Sequence, residues 1–211
     1  MNNIIDYLDE LFPNPRCELN YNKDYELLIA VMLSAQTTDK RVNMVTNILF
    51  KKYDTLEKFA NADLKELELD IKPTGFYHNK AKNIIACAKR LVYEFGGEVP
   101  SSLEDLTSLA GVGRKTANVI RGNIYNEPSI VVDTHVKRIS RRLGFTKETD
   151  PEKIEYELMK VLPKEHWILY NIQIISFGRN ICFARSPKCE NCFLQDLCKA
   201  EDRSDKKGKK K

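Results

Sequence analysis

Four cysteines, Cys182, Cys189, Cys192 and Cys198, fall within seventeen residues in the pattern C-x6-C-x2-C-x5-C. No other feature limits the fold of this chain so strongly. In a cytosolic protein, thiols this close together point to a metal site and not to a disulfide scaffold. Spacing alone does not separate zinc held by four thiolates from an iron–sulfur cluster. Cys17 and Cys87 stand apart, Cys87 in the buried-helix context IIACAKRL, and both read as inert.

The cytosolic reading rests on the other end of the chain. MNNIIDYLDELF is acidic and amphipathic, and lacks the basic, then apolar, then small-residue order of a signal peptide. No run of about 18 apolar residues exists, so no membrane span is expected. The 211 residues suffice for a substantial core in one or two small domains.

Periodicity predicts helix almost throughout. Asp24 is expected to cap a helix through YELLIAVMLSA, and Thr38 or Asp39 the next, as far as Phe50. Short helices are expected near Leu56–Ala60 and Leu64–Leu69. A longer one, from about Asn79 to Phe95, carries Ile84, Ile85, Ala88, Leu91, Val92 and Phe95 on an apolar stripe and stops at Gly96-Gly97. Asp150-Pro151 opens a helix to about Val161, and Trp167 another to about Ile181. Ile130–Val132 is the one β-branched run considered as a strand. There is no internal repeat and no long linker.

A glycine turn carries the first functional signal. After a short helix from Leu103 to Ala110 come Gly111-Val112-Gly113, and Arg114-Lys115-Thr116-Ala117 starts a second helix. Two glycines one residue apart permit a tight reversal and a close backbone approach. The amides that open the second helix suit phosphate. A lone G-x-G turn is weak evidence, but the whole stretch LTSLAGVGRKTANVI looks like a helix-hairpin-helix, which grips a DNA backbone without reading bases.

Lys115 sits in the first turn of that second helix. Only a neutral amine is a nucleophile, and a helix N-terminus beside Arg114 favours that form. By default such a lysine is simply solvated. Asp133 opens V-V-D-T-H-V-K-R-I and reads as an N-cap. A capped carboxylate also keeps its charge and position, and can stabilise a cationic sugar. His135 reads as a structural hydrogen-bonding residue.

The formal charge of +4 is a poor average. The final KKGKKK holds five lysines, without which the chain is at −1. From Ala110 to Arg142 there are seven basic residues, Arg138 and Arg142 among them, against Glu127 and Asp133. A positive face on a near-neutral body suits a polyanion such as DNA, although a solvated helix face looks the same.

G-V-G-R-K-T-A, V-D-T-H and the cysteine loop occur here in the order found in endonuclease III. LLIAVMLSAQTTD and IKPTGFYHNKAKNI extend the resemblance over nearly all of residues 1–198. The resemblance implies a bilobal all-α fold. Residues 17–127 would form a six-helix barrel with the helix-hairpin-helix, and 1–16 with 128–198 a helical lobe holding a [4Fe-4S] cluster on Cys182, Cys189, Cys192 and Cys198. Residues 199–211 would be a basic, disordered tail. Double-stranded DNA with oxidised pyrimidines or abasic sites would lie across the groove between the lobes. Lys115 and Asp133 would be catalytic, with Gly111, Gly113, Arg114, Thr116, His135 and Arg138 at the DNA. Gln36 would enter the space left by the flipped nucleotide, and Phe76, where many members carry leucine, would press on the opposite strand. The implied protein is a cytoplasmic monomer, a DNA glycosylase and abasic-site lyase working through a lysine Schiff base.

Two rival readings turn on single features. A monofunctional adenine glycosylase of the related mismatch-repair type would lack lysine at 115 and carry a further C-terminal domain. A non-catalytic DNA-binding module would have lost the lysine or the aspartate. Both residues are present.

Overall fold

The apolar stripe of the longest helix becomes the centre of a core. Ile84, Ala88 and Leu91 are at most 1% exposed in the computed structural model, which describes residues 2–203. The chain separates into two compact units, Cys17–Glu127 and Met1–Arg16 with Pro128–Lys211. Among the described residues every regular element is helical, eleven α-helices and three short 3-10 turns.

In chain order, α1 (Asn2–Leu11) belongs to the second of these units. The unit Cys17–Glu127 holds α2 (Asp24–Leu33), α3 (Asp39–Lys52), α4 (Leu56–Ala60), α5 (Leu64–Ile71), α6 (Tyr77–Glu94), α7 (Leu103–Ser108) and α8 (Arg114–Tyr125). A 3-10 turn at Lys72–Thr74 leads from α5 to Gly75. α6 packs on α4, α5 and α2, and α8 packs on α2 and α7. Leu27, Leu28, Leu33, Phe59, Leu67, Ile71 and Ile120 complete a core closed to solvent. Burial of these side chains is the main source of stability, at about 1.5–3 kcal/mol each.

The other unit joins α1 to α9 (Thr134–Leu143), α10 (Pro151–Val161) and α11 (Trp167–Asn180). α11 packs on α9 and α1. Its core contains Leu8, Ile130, Ile139, Ile154, Leu158, Ile174 and Phe177. α1 is pinned as well by polar contacts. Asp9 accepts from Gln173 Nε2 at 2.7 Å and pairs with His166 Nε2 at 3.0 Å.

Capping explains most helix starts. Thr38, Thr55, Asp63, Ser102, Asp133 and Asp150 each accept from a backbone N–H three residues on. Asp24 does not act as expected. It is the first residue of α2, and the Glu26 carboxylate instead reaches back to the N–H groups of Asn22 (2.7 Å) and Lys23 (3.3 Å). Ile130–Val132 is not a strand. Ile130 and Val131 are buried between helices, and the Val131 carbonyl accepts from Asn171 Nδ2 at 3.0 Å in place of a strand partner.

The boundary expected at residue 198 also moves. The Lys199 N–H donates to the Arg142 carbonyl at 2.7 Å, Ala200 is buried, and Arg203 donates to the Gln195 carbonyl at 2.6 Å. Apolar contact and backbone pairing thus hold residues 199–203 on their unit. From residue 204 the expected tail lies outside the described residues. No described helix is long and apolar enough to cross a membrane.

Candidate functional site

The hairpin is built as its sequence suggests. Gly111 sits at φ +77°, the left-handed region that favours glycine, and the Val112 N–H closes on the Leu109 carbonyl at 3.1 Å. A Cβ on Gly111 would stand 2.8 Å from Asn83 Cβ and 3.0 Å from Met32 Cε, so glycine also lets the turn sit down on α6 and α2. Gly113 is the N-cap of α8 and offers no side-chain acceptor to its first amides. α8 buries Ala117, Asn118, Ile120 and Gly122 on one face. Lys115 lies off that face and is exposed, with Arg114 and Thr116 half-buried beside it.

Gln36 and Phe76 come together in the same unit. Both are exposed, and both adopt left-handed backbone, φ 56° and 48°. With Gly111, Asn79, Asn83, Met32, Ala35 and Lys80 they line one cavity of about 160 Å³. Sequence reading missed Lys80. Its signal was present: residue 80 is in register with Ile84, Ala88 and Leu91, a charge on the apolar stripe of α6.

Asp133 belongs to the other unit. It caps α9, accepting from the Val136 N–H at 2.8 Å. One turn on, the geometry departs from expectation. Arg138 Nη2 lies 3.2 Å from His135 Nδ1 and donates to the Cys182 carbonyl at 3.0 Å. Arg142 is 9% exposed and donates to Cys182 Sγ at 3.3 Å, to the Phe183 carbonyl at 2.7 Å, to the Ala184 carbonyl at 3.3 Å and to the Asp202 carboxylate. These guanidinium groups, expected on phosphate, are turned inward onto the cysteine loop. Their spacing along α9 carries the reason: 138 and 142 share one face, and α11 brings the loop to it. Gly178 in α11 makes room, since a Cβ there would meet His135 Nδ1 at 2.3 Å and Arg138 Nη2 at 3.0 Å.

Cys182, Cys189, Cys192 and Cys198 are all free thiols and line a single cavity with Ile139, Phe177 and Leu194. Burial pushes the Cys182 and Cys192 thiols up, and the Arg142 N–H on Cys182 Sγ works the other way. Among the described residues the thiols do not stand in ligating geometry about one point. Four soft donors on one apolar cavity, with an N–H already turned to a sulfur, fit an iron–sulfur cluster by their chemistry.

Residues 29–164 match the HhH-GPD superfamily of base excision DNA repair proteins, and that class accounts for the hairpin and the all-α fold. Residues 182–198 match the iron–sulfur binding domain of endonuclease III, so the cysteine loop is an iron–sulfur binding region. The chain is 45% identical over 205 residues to endonuclease III of Bacillus subtilis, which covers 97% of this chain and 94% of the relative. Two solved structures are similar at a TM-score of 0.90 and 45% identity, each covering 94% of this chain and 93% of that one. One is a non-covalent endonuclease III–DNA complex, the other a trapped endonuclease III–DNA covalent intermediate. The chain belongs to the endonuclease III family. It is a base excision repair enzyme, a DNA glycosylase for oxidised pyrimidines with abasic-site lyase activity.

Proposed function

We propose that Lys115 is the nucleophile of both activities and that Asp133 stabilises the sugar cation as the base departs. One observation carries the reading: in a chain of this family, Lys115 stands exposed in the first turn of α8, directly after the glycine turn. The bound partner is double-stranded DNA, held through its phosphates by the turn at Gly111 and Gly113 and by Arg114 and Thr116. The target nucleotide must leave the stack before any side chain reaches its sugar. Gln36 fills the space it vacates and Phe76 presses on the other strand.

The chemistry balances in two stages. The Lys115 amine forms a bond to C1′ as the bond from C1′ to the base breaks, and the base leaves with the electron pair and a proton. Opening of the sugar gives a Schiff base, which acidifies the C2′ proton. Loss of that proton to solvent expels the 3′ phosphate and breaks the strand, and water then hydrolyses the imine and frees the Lys115 amine. Asp133, fixed by its cap to the Val136 N–H, supplies a negative charge that need not reorganise.

The four cysteines hold a [4Fe-4S] cluster, which would tie the loop as a structural element. Arg138 supports that loop from α9 through the Cys182 carbonyl, His135 is bonded to Arg138, and the half-buried faces of both stand at the DNA. The enzyme acts as a monomer in the cytoplasm, on the chromosome.

Asp133→Asn tests the division of roles, since asparagine keeps the capping acceptor and loses the charge. Removal of an oxidised pyrimidine should slow by about a hundredfold or more, and cleavage of a preformed abasic site much less. Base removal at the wild-type rate would exclude the role given to Asp133. For the metal, anaerobically purified protein should contain iron and sulfide. Stoichiometric zinc without iron would exclude the cluster.

A further inference from the structure

Lys80 is 7% exposed, and its ammonium is surrounded by neutral oxygens. Nζ donates to the Leu33 carbonyl at 2.8 Å, to the Thr74 carbonyl at 2.8 Å and to Thr37 Oγ1 at 3.3 Å. Those three acceptors match the three N–H donors of an ammonium. Thr37 in turn donates to the Thr74 carbonyl. Burial lowers the Lys80 pKa, so keeping the charge here costs free energy that an apolar residue would avoid.

The position of the acceptors explains what that cost achieves. Leu33 is the last residue of α2, and Thr74 the last of the 3-10 turn before Gly75. Lys80 therefore sits against the negative ends of two helical segments. Beyond them the chain enters the left-handed region, three residues after Leu33 at Gln36 and directly after Thr74 at Gly75 and Phe76. A non-glycine residue stays in that region only where its surroundings impose it. Lys80 bonds to both turns, and Thr37, on the turn of Gln36, bonds to the carbonyl of Thr74 on the other.

We propose that Lys80 is a positioning residue that locks the two left-handed turns together, so that Gln36 and Phe76 project as one rigid pair. The inference rests on the roles given above to Gln36 and Phe76. It predicts that DNA opening, and not the lysine chemistry, depends on Lys80. Thr37 is the second member of the clamp.

The test uses duplexes with 2-aminopurine opposite an oxidised pyrimidine, whose fluorescence reports unstacking. Lys80→Met removes the charge at similar length. It should lower the fluorescence gain and single-turnover base removal together, by on the order of tenfold, through displaced side chains. Borohydride trapping on a preformed abasic site should stay within about threefold of wild type, because no base remains to be expelled. Thr37→Val removes the hydroxyl link without touching a charge and should give the same pattern more weakly. A general loss of fold would lower trapping and fluorescence in equal proportion. That result in Lys80→Met leaves Thr37→Val to decide, and wild-type fluorescence and base removal in Thr37→Val would then overturn the clamp. Gln36→Ala with Phe76→Ala is the separate check. If that double variant opens DNA as wild type does, the roles of Gln36 and Phe76 fail. If it does not, and Lys80→Met and Thr37→Val both behave as wild type, the clamp alone fails.

Discussion

Arg142 is bonded to two carbonyls, a thiol and a carboxylate, and little of its guanidinium is left for phosphate. Its work is to hold the loop from Cys182 to Ala184 and, through Asp202, the residues after the last cysteine. Arg142→Ala would strip these half-buried and exposed acceptors of their donor, at a cost on the order of 1 kcal/mol. The iron content of the purified variant should fall, and its remaining visible absorbance should be lost at lower temperature than in wild type. Affinity for undamaged duplex should change little. A loss of duplex affinity with full iron retention would show instead that Arg142 grips DNA. The case also shows what a residue pattern hides. Seven basic residues between 110 and 142 looked like one positive face, because charge is readable from sequence and direction is not. Direction follows from packing of α11 on α9, which spacing alone does not reveal.

Among elements, the hairpin was the most legible. Its glycines and the polarity of α8 are local properties, and local properties survive in sequence. The two glycines are nonetheless unequal. Gly111→Ala meets a positive φ and a 2.8 Å contact with Asn83 Cβ, and should destabilise the protein by about 1–2 kcal/mol from the backbone alone. Gly113→Ala meets open space at a φ of −92°, and should leave thermal stability near wild type. Calorimetry of the pair checks the contrast, and equal losses would contradict it. Less legible was the tie of α1 to the rest of its unit, a contact across more than 150 residues. Burial opposes the charge on Asp9, but the donors Gln173 and His166 outweigh it and hold its pKa below the ordinary value. As pH falls the unfolded chain takes up that proton first. The contribution is therefore present above the ordinary carboxylate pKa and is lost as pH falls through the lower folded value. The melting-temperature gap between wild type and Asp9→Asn should close over that acid range, and a gap unchanged down to the acid limit would contradict the linkage. Ile130–Val132 failed as a strand for a related reason: β-branched residues record burial as readily as pleating, and here burial was the cause.

For the whole molecule the governing quantity is uneven charge on a near-neutral body. Duplex affinity should fall linearly with salt on logarithmic axes, as counterions return to the phosphates. Removing residues 206–211 takes away five lysines and should make that slope shallower. Single-turnover base removal at saturating enzyme should be unchanged, and its loss would place the last residues in the site. The all-α class and most helix limits were readable because caps and apolar periodicity recur along the chain. Lys80 was not, since a buried lysine gains its meaning only when α2, the 3-10 turn and α6 are assembled around it.

Lys115 is the residue on which both activities turn, and a covalent adduct tests its role directly. The enzyme is mixed with a duplex bearing an abasic site, reduced with borohydride and digested, and the cross-linked peptide is mapped by mass spectrometry. The adduct should fall on Lys115. Lys115→Gln should keep its fold, because residue 115 is exposed and both side chains tolerate helix, yet should form no adduct and cleave no strand. An adduct on any other amine in the wild-type enzyme, or trapping of Lys115→Gln at the wild-type rate, would contradict the assignment.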